Sequence, residues 1–70
     1  MNDYGLRLPE LWAYVIYADG TELNVANTDT LDEWEAEWYK KMWEHKGKVV
    51  AVELRTSNDD LVMRRIFKED

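Results

Sequence analysis

Two stretches with the residues typical of β-strands lie on either side of a stretch with helical period. Residues 11–27 contain an aromatic and β-branched run, then Asp19-Gly20, then a second short run. Asp-Gly between such runs favours a two-residue type I′ turn, because both turn residues need positive φ. That turn pairs Ile16 with Leu23 and predicts one core-facing side of the hairpin. Its residues are Trp12, Tyr14, Ile16, Leu23 and Val25.

Residues 30–46 are predicted to form one helix. Thr30 and Glu33 fit a capping box, in which each side chain accepts a hydrogen bond from the other residue's backbone N–H. Gly47 fits the position that follows a helix C-terminus. Acidic residues lead the helix and basic residues end it, which complements the helix dipole.

The apolar arc of this helix is wider than one sheet requires. The stripe predicted to pack on the sheet consists of Leu31, Trp34, Trp38, Met42 and His45. Ala36, Tyr39 and Trp43 extend it sideways to roughly 200°, whereas packing on one sheet needs little more than about 100°. We therefore expect Tyr39 and Trp43 at the flank, where they either cover the rim of the sheet or are exposed to a partner.

Residues 48–68 predict a second hairpin with two possible registers. A turn at Asn58-Asp59 pairs Leu54 with Met63 and Glu53 with Arg64. A shift of one residue turns Arg64 toward the core instead. The sequence leaves this choice open.

The order of these elements predicts an α+β fold of the type ββαββ, an antiparallel sheet from two hairpins with one amphipathic helix packed across it. The 70 residues suffice for a single small domain, in which residues 1–10 are expected to be irregular around Pro9. The strand order stays open, because two hairpins and a helix permit more than one arrangement. A chain of this size has little core, and its four Trp and four Tyr residues can supply large buried surfaces.

Acidic residues are concentrated in one block. Residues 19–37 contain seven acids and no Lys or Arg, and the chain carries a net charge of −6. Such a block can contact a basic surface, either by imitating the phosphate pattern of nucleic acid or by docking on a basic patch of a partner protein. The alternative is solubility, since a chain that exposes aromatic side chains benefits from net charge. Direct nucleic-acid binding is not expected, because affinity for phosphates comes mainly from positive potential.

Groups that could carry catalysis are few. The chain has no Cys, one serine (Ser57) and one histidine (His45), and the predicted layout separates these two. The acidic residues show neither a calcium-loop spacing nor a cleft, and the three glycines do not form a phosphate-binding loop. We therefore expect no enzyme, no cofactor and no metal. No apolar run approaches the roughly 20 residues of a membrane span, and the first residues lack a signal-peptide pattern, so a cytoplasmic protein without a membrane partner is expected.

These observations favour a small non-catalytic protein-interaction module that forms a homodimer and engages a protein partner with a basic surface. Its contact residues are predicted to be Glu33, Glu37, Tyr39, Trp43 and Tyr17. The alternative is a phage-type inhibitor that mimics nucleic-acid charge, of the anti-restriction or anti-CRISPR class. A small enzyme or enzyme subunit is the third hypothesis. The sequence does not identify the partner, the pathway or the organism.

Overall fold

The structure of the chain is a computed structural model that describes residues 11–67, so the predicted irregular segment 1–10 lies outside the described residues. The elements are β1 (Leu11–Tyr17), β2 (Glu22–Asn27), α1 (Glu33–Trp43), a 3₁₀ turn (Glu44–Lys46), β3 (Val49–Thr56) and β4 (Leu61–Ile66). The four strands form one antiparallel sheet in the order β2-β1-β3-β4, with α1 packed on it. The predicted α+β fold of the type ββαββ is confirmed, and the order places β2 and β4 at the edges.

The first hairpin has a three-residue loop, not the predicted two-residue turn. The Tyr17 N–H donates to the Thr21 carbonyl at 2.8 Å, and the Gly20 N–H donates to the Tyr17 carbonyl at 2.9 Å. Gly20 has a φ of 92° and is therefore the residue in the left-handed region that closes a loop of this kind. The register shifts by one residue as a result, and Leu23 pairs with Val15 instead of Ile16.

This shift exchanges the two sides of β1. Ala13, Val15 and Tyr17 are buried in the core cluster, whereas Trp12 is 36% exposed. The predicted core side was therefore wrong for Trp12, Tyr14 and Ile16, because moving a strand pairing by one residue turns every side chain to the opposite face.

The second hairpin uses the same kind of loop and adopts the first of the two predicted registers. Asp59 has a φ of 69°, and its N–H donates to the Thr56 carbonyl at 2.9 Å. A bulge between Leu54 and Arg55 then brings Leu54 opposite Met63 and Glu53 opposite Arg64. This register turns Arg65 toward the helix side, where its Nε donates to the Leu31 carbonyl at 3.0 Å.

Helix α1 begins later than predicted. Asp32, not Thr30, is the N-cap residue, and its backbone N–H donates to the Glu35 carboxylate at 2.7 Å. The Thr30 hydroxyl lies 3.3 Å from the same carboxylate, so it supports the cap from outside the helix. The α-helical part ends at Trp43, and the predicted last turn is the 3₁₀ turn.

The helix also presents a different side to the sheet. Ala36 is buried, and Tyr39 and Trp43 are half-buried against the core. Trp34 is 67% exposed and Trp38 is 51% exposed, so their predicted burial was wrong. The shifted first hairpin turns Tyr17 toward the helix, where its hydroxyl donates to the Trp43 carbonyl at 2.8 Å. That ring occupies space beneath the helix, and α1 packs through its small residue and its half-buried aromatic rings.

Candidate functional site

The side of α1 that points away from the sheet carries three large apolar side chains in a line. Trp34, Trp38 and Met42 are separated by four residues each and therefore lie on one face of the helix. Their exposed fractions are 67%, 51% and 45%. We call these three residues the outer helix face. Aligned exposed aromatic and methionine side chains are typical of interaction surfaces.

An acidic row lies beside the outer helix face. Glu33 and Glu37, which form this row, are exposed and occupy the side of α1 that turns toward β4. Within residues 11–67, neither carboxylate makes an ion pair. Their charge is therefore available to a group outside the fold.

The acidic row borders a groove of about 370 Å³ between α1 and β4. Its opposite wall is formed by Arg64, Arg65 and Ile66 on β4 and by Phe67, which follows the strand. The Arg64 Nε donates to Glu53 at 2.7 Å, and Arg65 donates to the Leu31 carbonyl. Both guanidinium groups thus have acceptors inside the fold, which leaves the glutamates without the ion pairs that the groove could have provided.

A network of charged side chains lies on the side of the sheet that faces away from α1. Glu53 is only 5% exposed, although it is a carboxylate. It accepts from the Arg55 Nη2 at 2.5 Å and from the Arg64 Nε at 2.7 Å. Arg55 in turn donates to Glu22 at 2.9 Å and to Asp59 at 3.2 Å. Since every charge has an opposite partner, the network ties β2, β3, β4 and the second loop together.

The pKa shifts in this network have local causes. The hydrogen bond to Glu22, followed by the contacts with Glu53, raises the pKa of Arg55 above its usual value, and the same bond lowers the pKa of Glu22. The Arg55 guanidinium also lies over the Tyr14 ring, 4.6 Å from its centre. Both shifts favour the charged forms of Arg55 and Glu22, whereas a general acid or base would need a pKa nearer to 7.

The structure separates the predicted contact residues into two groups. Glu33 and Glu37 are exposed on α1, whereas Tyr17 is buried beneath the helix. Tyr39 and Trp43 are half-buried against the core, and burial, assisted by the nearby charge of Glu35, raises the pKa of the Tyr39 hydroxyl. Of the three aromatic residues predicted to contact a partner, Tyr17 is thus inaccessible and Tyr39 and Trp43 are partly accessible, whereas Trp34 and Trp38 are the more exposed aromatic side chains of α1. The width of the apolar arc indicated that part of it would be exposed. The small side chain of Ala36 was the feature of the sequence that could have indicated which side of α1 faces the sheet.

A second depression of about 410 Å³ lies at the end of the sheet beside the first hairpin loop. Its polar groups include Asp19, Lys46 and Lys48, and Tyr17 forms part of its wall. The Tyr17 hydroxyl is already bonded to the Trp43 carbonyl, and the Asp19 carboxylate accepts from the Thr21 N–H at 2.9 Å. The polar groups identified here are thus partly engaged within the fold.

The part of the chain that the structure describes forms no metal cluster. No group of three or more His, Asp or Glu side chains there could hold a metal ion. The Nδ1 atom of His45 lies 3.0 Å from the Met42 carbonyl, and its ring stacks on Trp43 with 6.2 Å between the ring centres. Both contacts hold the His45 ring against the C-terminal end of the helix. Among residues 11–67, no helix is long and apolar enough to cross a membrane.

Comparison with known proteins gives no family assignment. No protein-family profile matches the chain, and no curated protein or solved structure matches it significantly.

Proposed function

We propose that the chain is a non-catalytic protein-interaction module whose outer helix face inserts into an apolar groove of a partner protein. The observation that carries this proposal is the alignment of Trp34, Trp38 and Met42 on the exposed side of a helix that already packs on its own sheet. An amphipathic helix recognised in a groove presents anchors at this spacing.

The exposed area of the two tryptophans would contribute a sizeable part of the free energy of binding. Complete burial of Trp34 and Trp38, given their exposed fractions of 67% and 51%, removes roughly 300 Å² of side-chain surface from water. At about 25 cal/mol per Å², this contributes about 7 kcal/mol before the costs of association. Those costs are estimated at about 4–15 kcal/mol, so the two anchors need further contacts to give useful affinity.

The acidic row supplies such contacts and specifies the partner's chemistry. A groove rimmed by Lys or Arg side chains meets Glu33 and Glu37, which have no ion pair within the described residues. Complementary charge accelerates association and disfavours partners with an acidic rim.

The structure offers less support for a nucleic-acid mimic. Of the acidic block, Asp19 caps the first loop, Glu22 pairs with Arg55, and Glu35 caps the helix. Asp32 is the N-cap of the helix, and Glu33 and Glu37 lie beside an apolar stripe, which imitation of a phosphate chain does not require. A protein partner with an apolar groove uses both features.

Affinity capture with matched variants tests the proposal. The tagged chain is immobilised, and proteins retained from a lysate of its source are quantified by mass spectrometry and then titrated individually. We expect Trp38→Ala to weaken binding of a specifically retained protein at least about tenfold, as truncation of a central aromatic anchor does. Leu61→Ala is the matched control, because Leu61 on β4 is 50% exposed and Trp38 is 51% exposed. Equal retention by wild type and Trp38→Ala would overturn the proposal.

The contribution of the acidic row to binding and the hypothesis of a nucleic-acid mimic are tested on the same captured protein. Glu33→Gln combined with Glu37→Gln should reduce affinity and flatten its dependence on salt, while Asp60→Asn, which changes an exposed acid in the second loop, should do neither. If duplex DNA displaces the captured protein and Trp38→Ala does not weaken its binding, the hypothesis of a nucleic-acid mimic is favoured over that of a groove-binding module.

A further inference from the structure

The outer helix face is complementary to itself, and we propose that a second copy of the chain covers it in an antiparallel, two-fold symmetric helix pair. This inference rests on the proposed function in using the same face, and it names what occupies that face when the partner is absent. Two features of α1 support it, the symmetry of its apolar residues and the polarity of its charges.

The apolar residues are arranged symmetrically about Trp38. Trp34 precedes it by four residues and Met42 follows it by four. A two-fold axis through the Trp38 positions therefore places the two Trp38 rings together and sets each Trp34 against Met42 of the other copy. A sulfur atom beside an aromatic ring is a favourable contact. All three positions find an apolar counterpart in this arrangement.

The charges of α1 favour the antiparallel direction. Glu33 and Glu37 precede the centre on the flank that carries Lys41 after it. In the antiparallel pair, Lys41 of each copy lies between Glu33 and Glu37 of the other. A parallel two-fold pair instead sets this flank against the one that carries Glu35, Tyr39 and Trp43, where Lys41 meets no glutamate. Within residues 11–67, none of Glu33, Glu37 and Lys41 makes an ion pair. Antiparallel helices also bring opposite dipole ends together.

The edge strand β4 is a less suitable place for self-association, although Leu61 and Val62 on it are about half exposed. The bulge near its beginning interrupts the pairing with β3, and Arg64 and Arg65 follow. Bulges and charged side chains are devices that prevent edge strands from pairing with other chains. The helix face carries no comparable obstacle.

The size of the contact predicts a reversible dimer. Three side chains and their charged rim bury roughly 400–600 Å² on each copy, which is below the roughly 800 Å² per partner of a standard stable interface. A dimer of this strength separates on dilution, so it leaves the helix face accessible to a partner.

Sedimentation equilibrium of the purified chain over a wide concentration range tests the inference. We expect a reversible monomer–dimer equilibrium for the wild type and at least a tenfold weaker one for Trp38→Ala. The edge-strand control Val62→Lys should behave as the wild type. A strict monomer at every concentration would overturn the inference, and so would a dimer that persists in Trp38→Ala and disappears in Val62→Lys.

A charge exchange tests the direction of the pair. Lys41→Glu sets glutamate opposite glutamate in its own dimer, and Glu37→Lys sets lysine opposite lysine, so each variant alone should dimerise about tenfold more weakly. In a mixture of the two, position 41 of each copy again faces an opposite charge at position 37 of the other, and one repulsive contact with Glu33 persists, so the heterodimer should form several-fold more tightly than either variant's own dimer. No gain on mixing would refute the antiparallel register. Because these measurements need no partner, their failure leaves the capture experiment intact, and a failed capture leaves the self-association result standing.

Discussion

The buried carboxylate of Glu53 provides the sharpest test of how this small sheet is held together. Replacing Glu53 with Gln keeps the size of the side chain but removes the charge that faces Arg55 and Arg64. The change therefore tests electrostatic pairing with little change in packing. Because Glu53 is on a central strand, the loss acts on the whole sheet.

The magnitude follows from the exposure of the groups left behind. Loss of one partner of a fully buried ion pair costs about 3–5 kcal/mol, because the remaining charge has neither water nor a counter-ion. Here Arg64 has 48% of its side chain exposed and can be hydrated, and Arg55 keeps Glu22 and Asp59. We therefore expect Glu53→Gln to lower the free energy of unfolding by about 2–3 kcal/mol, below the full penalty. For a chain of 70 residues, total stability is roughly 4–10 kcal/mol, so this loss is a large share.

Urea unfolding followed by far-UV circular dichroism measures this loss, and thermal unfolding should show a decrease in Tm of about 10–20 °C. Glu22→Gln is the control, because Glu22 bonds the same arginine but its side chain is 46% exposed. Exposed pairs contribute only about 0.2–1 kcal/mol. If Glu53→Gln costs no more than Glu22→Gln, burial of the network does not govern its contribution, and the reasoning fails.

Three further predictions concern the loops and the helix end. Gly20→Ala should lower the free energy of unfolding by about 1 kcal/mol through backbone strain alone, since φ is 92° and an added Cβ meets no atom within 4 Å; an unchanged urea midpoint would contradict this. Tyr17→Phe should cost about 1 kcal/mol in the same assay, because the Trp43 carbonyl at 2.8 Å loses its donor, and a neutral result would show that water replaces it. Stability should also fall with acid: the Thr21 N–H lowers the pKa of Asp19 below 3.8, and Arg55 lowers that of Glu22 below 4.5, so their stabilising effect is present above these values and is lost as pH falls through the folded pKa values. Urea midpoints measured from pH 7 to pH 3 should show this decrease, and Glu22→Gln should make the decrease smaller. If the urea midpoint stays constant at pH values below 4.5, these two carboxylates do not stabilise the fold in the way described.

The sequence was sufficient to predict the elements because their signals are local. Asp19-Gly20 ends one strand and begins another, and the acids before the apolar period begin a helix. The pair Glu53–Arg64 was also correct in one of the two registers considered, since opposite charges on neighbouring strands favour that alignment.

The register of the first hairpin was not predictable from the same signals. Asp-Gly indicates a turn but fits both a two-residue loop and a three-residue loop with glycine at the left-handed position. The two loops differ by one residue in pairing, and that residue decides whether Trp12 or Ala13 faces the helix. Later along β2, the bulge at Val25 restores the predicted alignment and pairs Ala13 with Ala26. The local error in loop length was therefore enough to exchange the core and the open side.

The error in the predicted register also affects the candidate site, because it changes which tryptophans are expected to be buried. An apolar arc of roughly 200° permits two orientations of α1, and hydrophobicity alone favours the one that buries the largest side chains. The sheet beneath the helix already contains Tyr17, and the residue of α1 with the least volume, Ala36, is the one buried against the core. A helix that packs through Ala36 and the half-buried rings beside it leaves Trp34 and Trp38 outside, where they contribute less to folding because much of their surface remains in contact with water. The exposure of Trp34 and Trp38 is thus a consequence of how the core is filled, and the same consequence creates a surface that a partner or a second copy can cover.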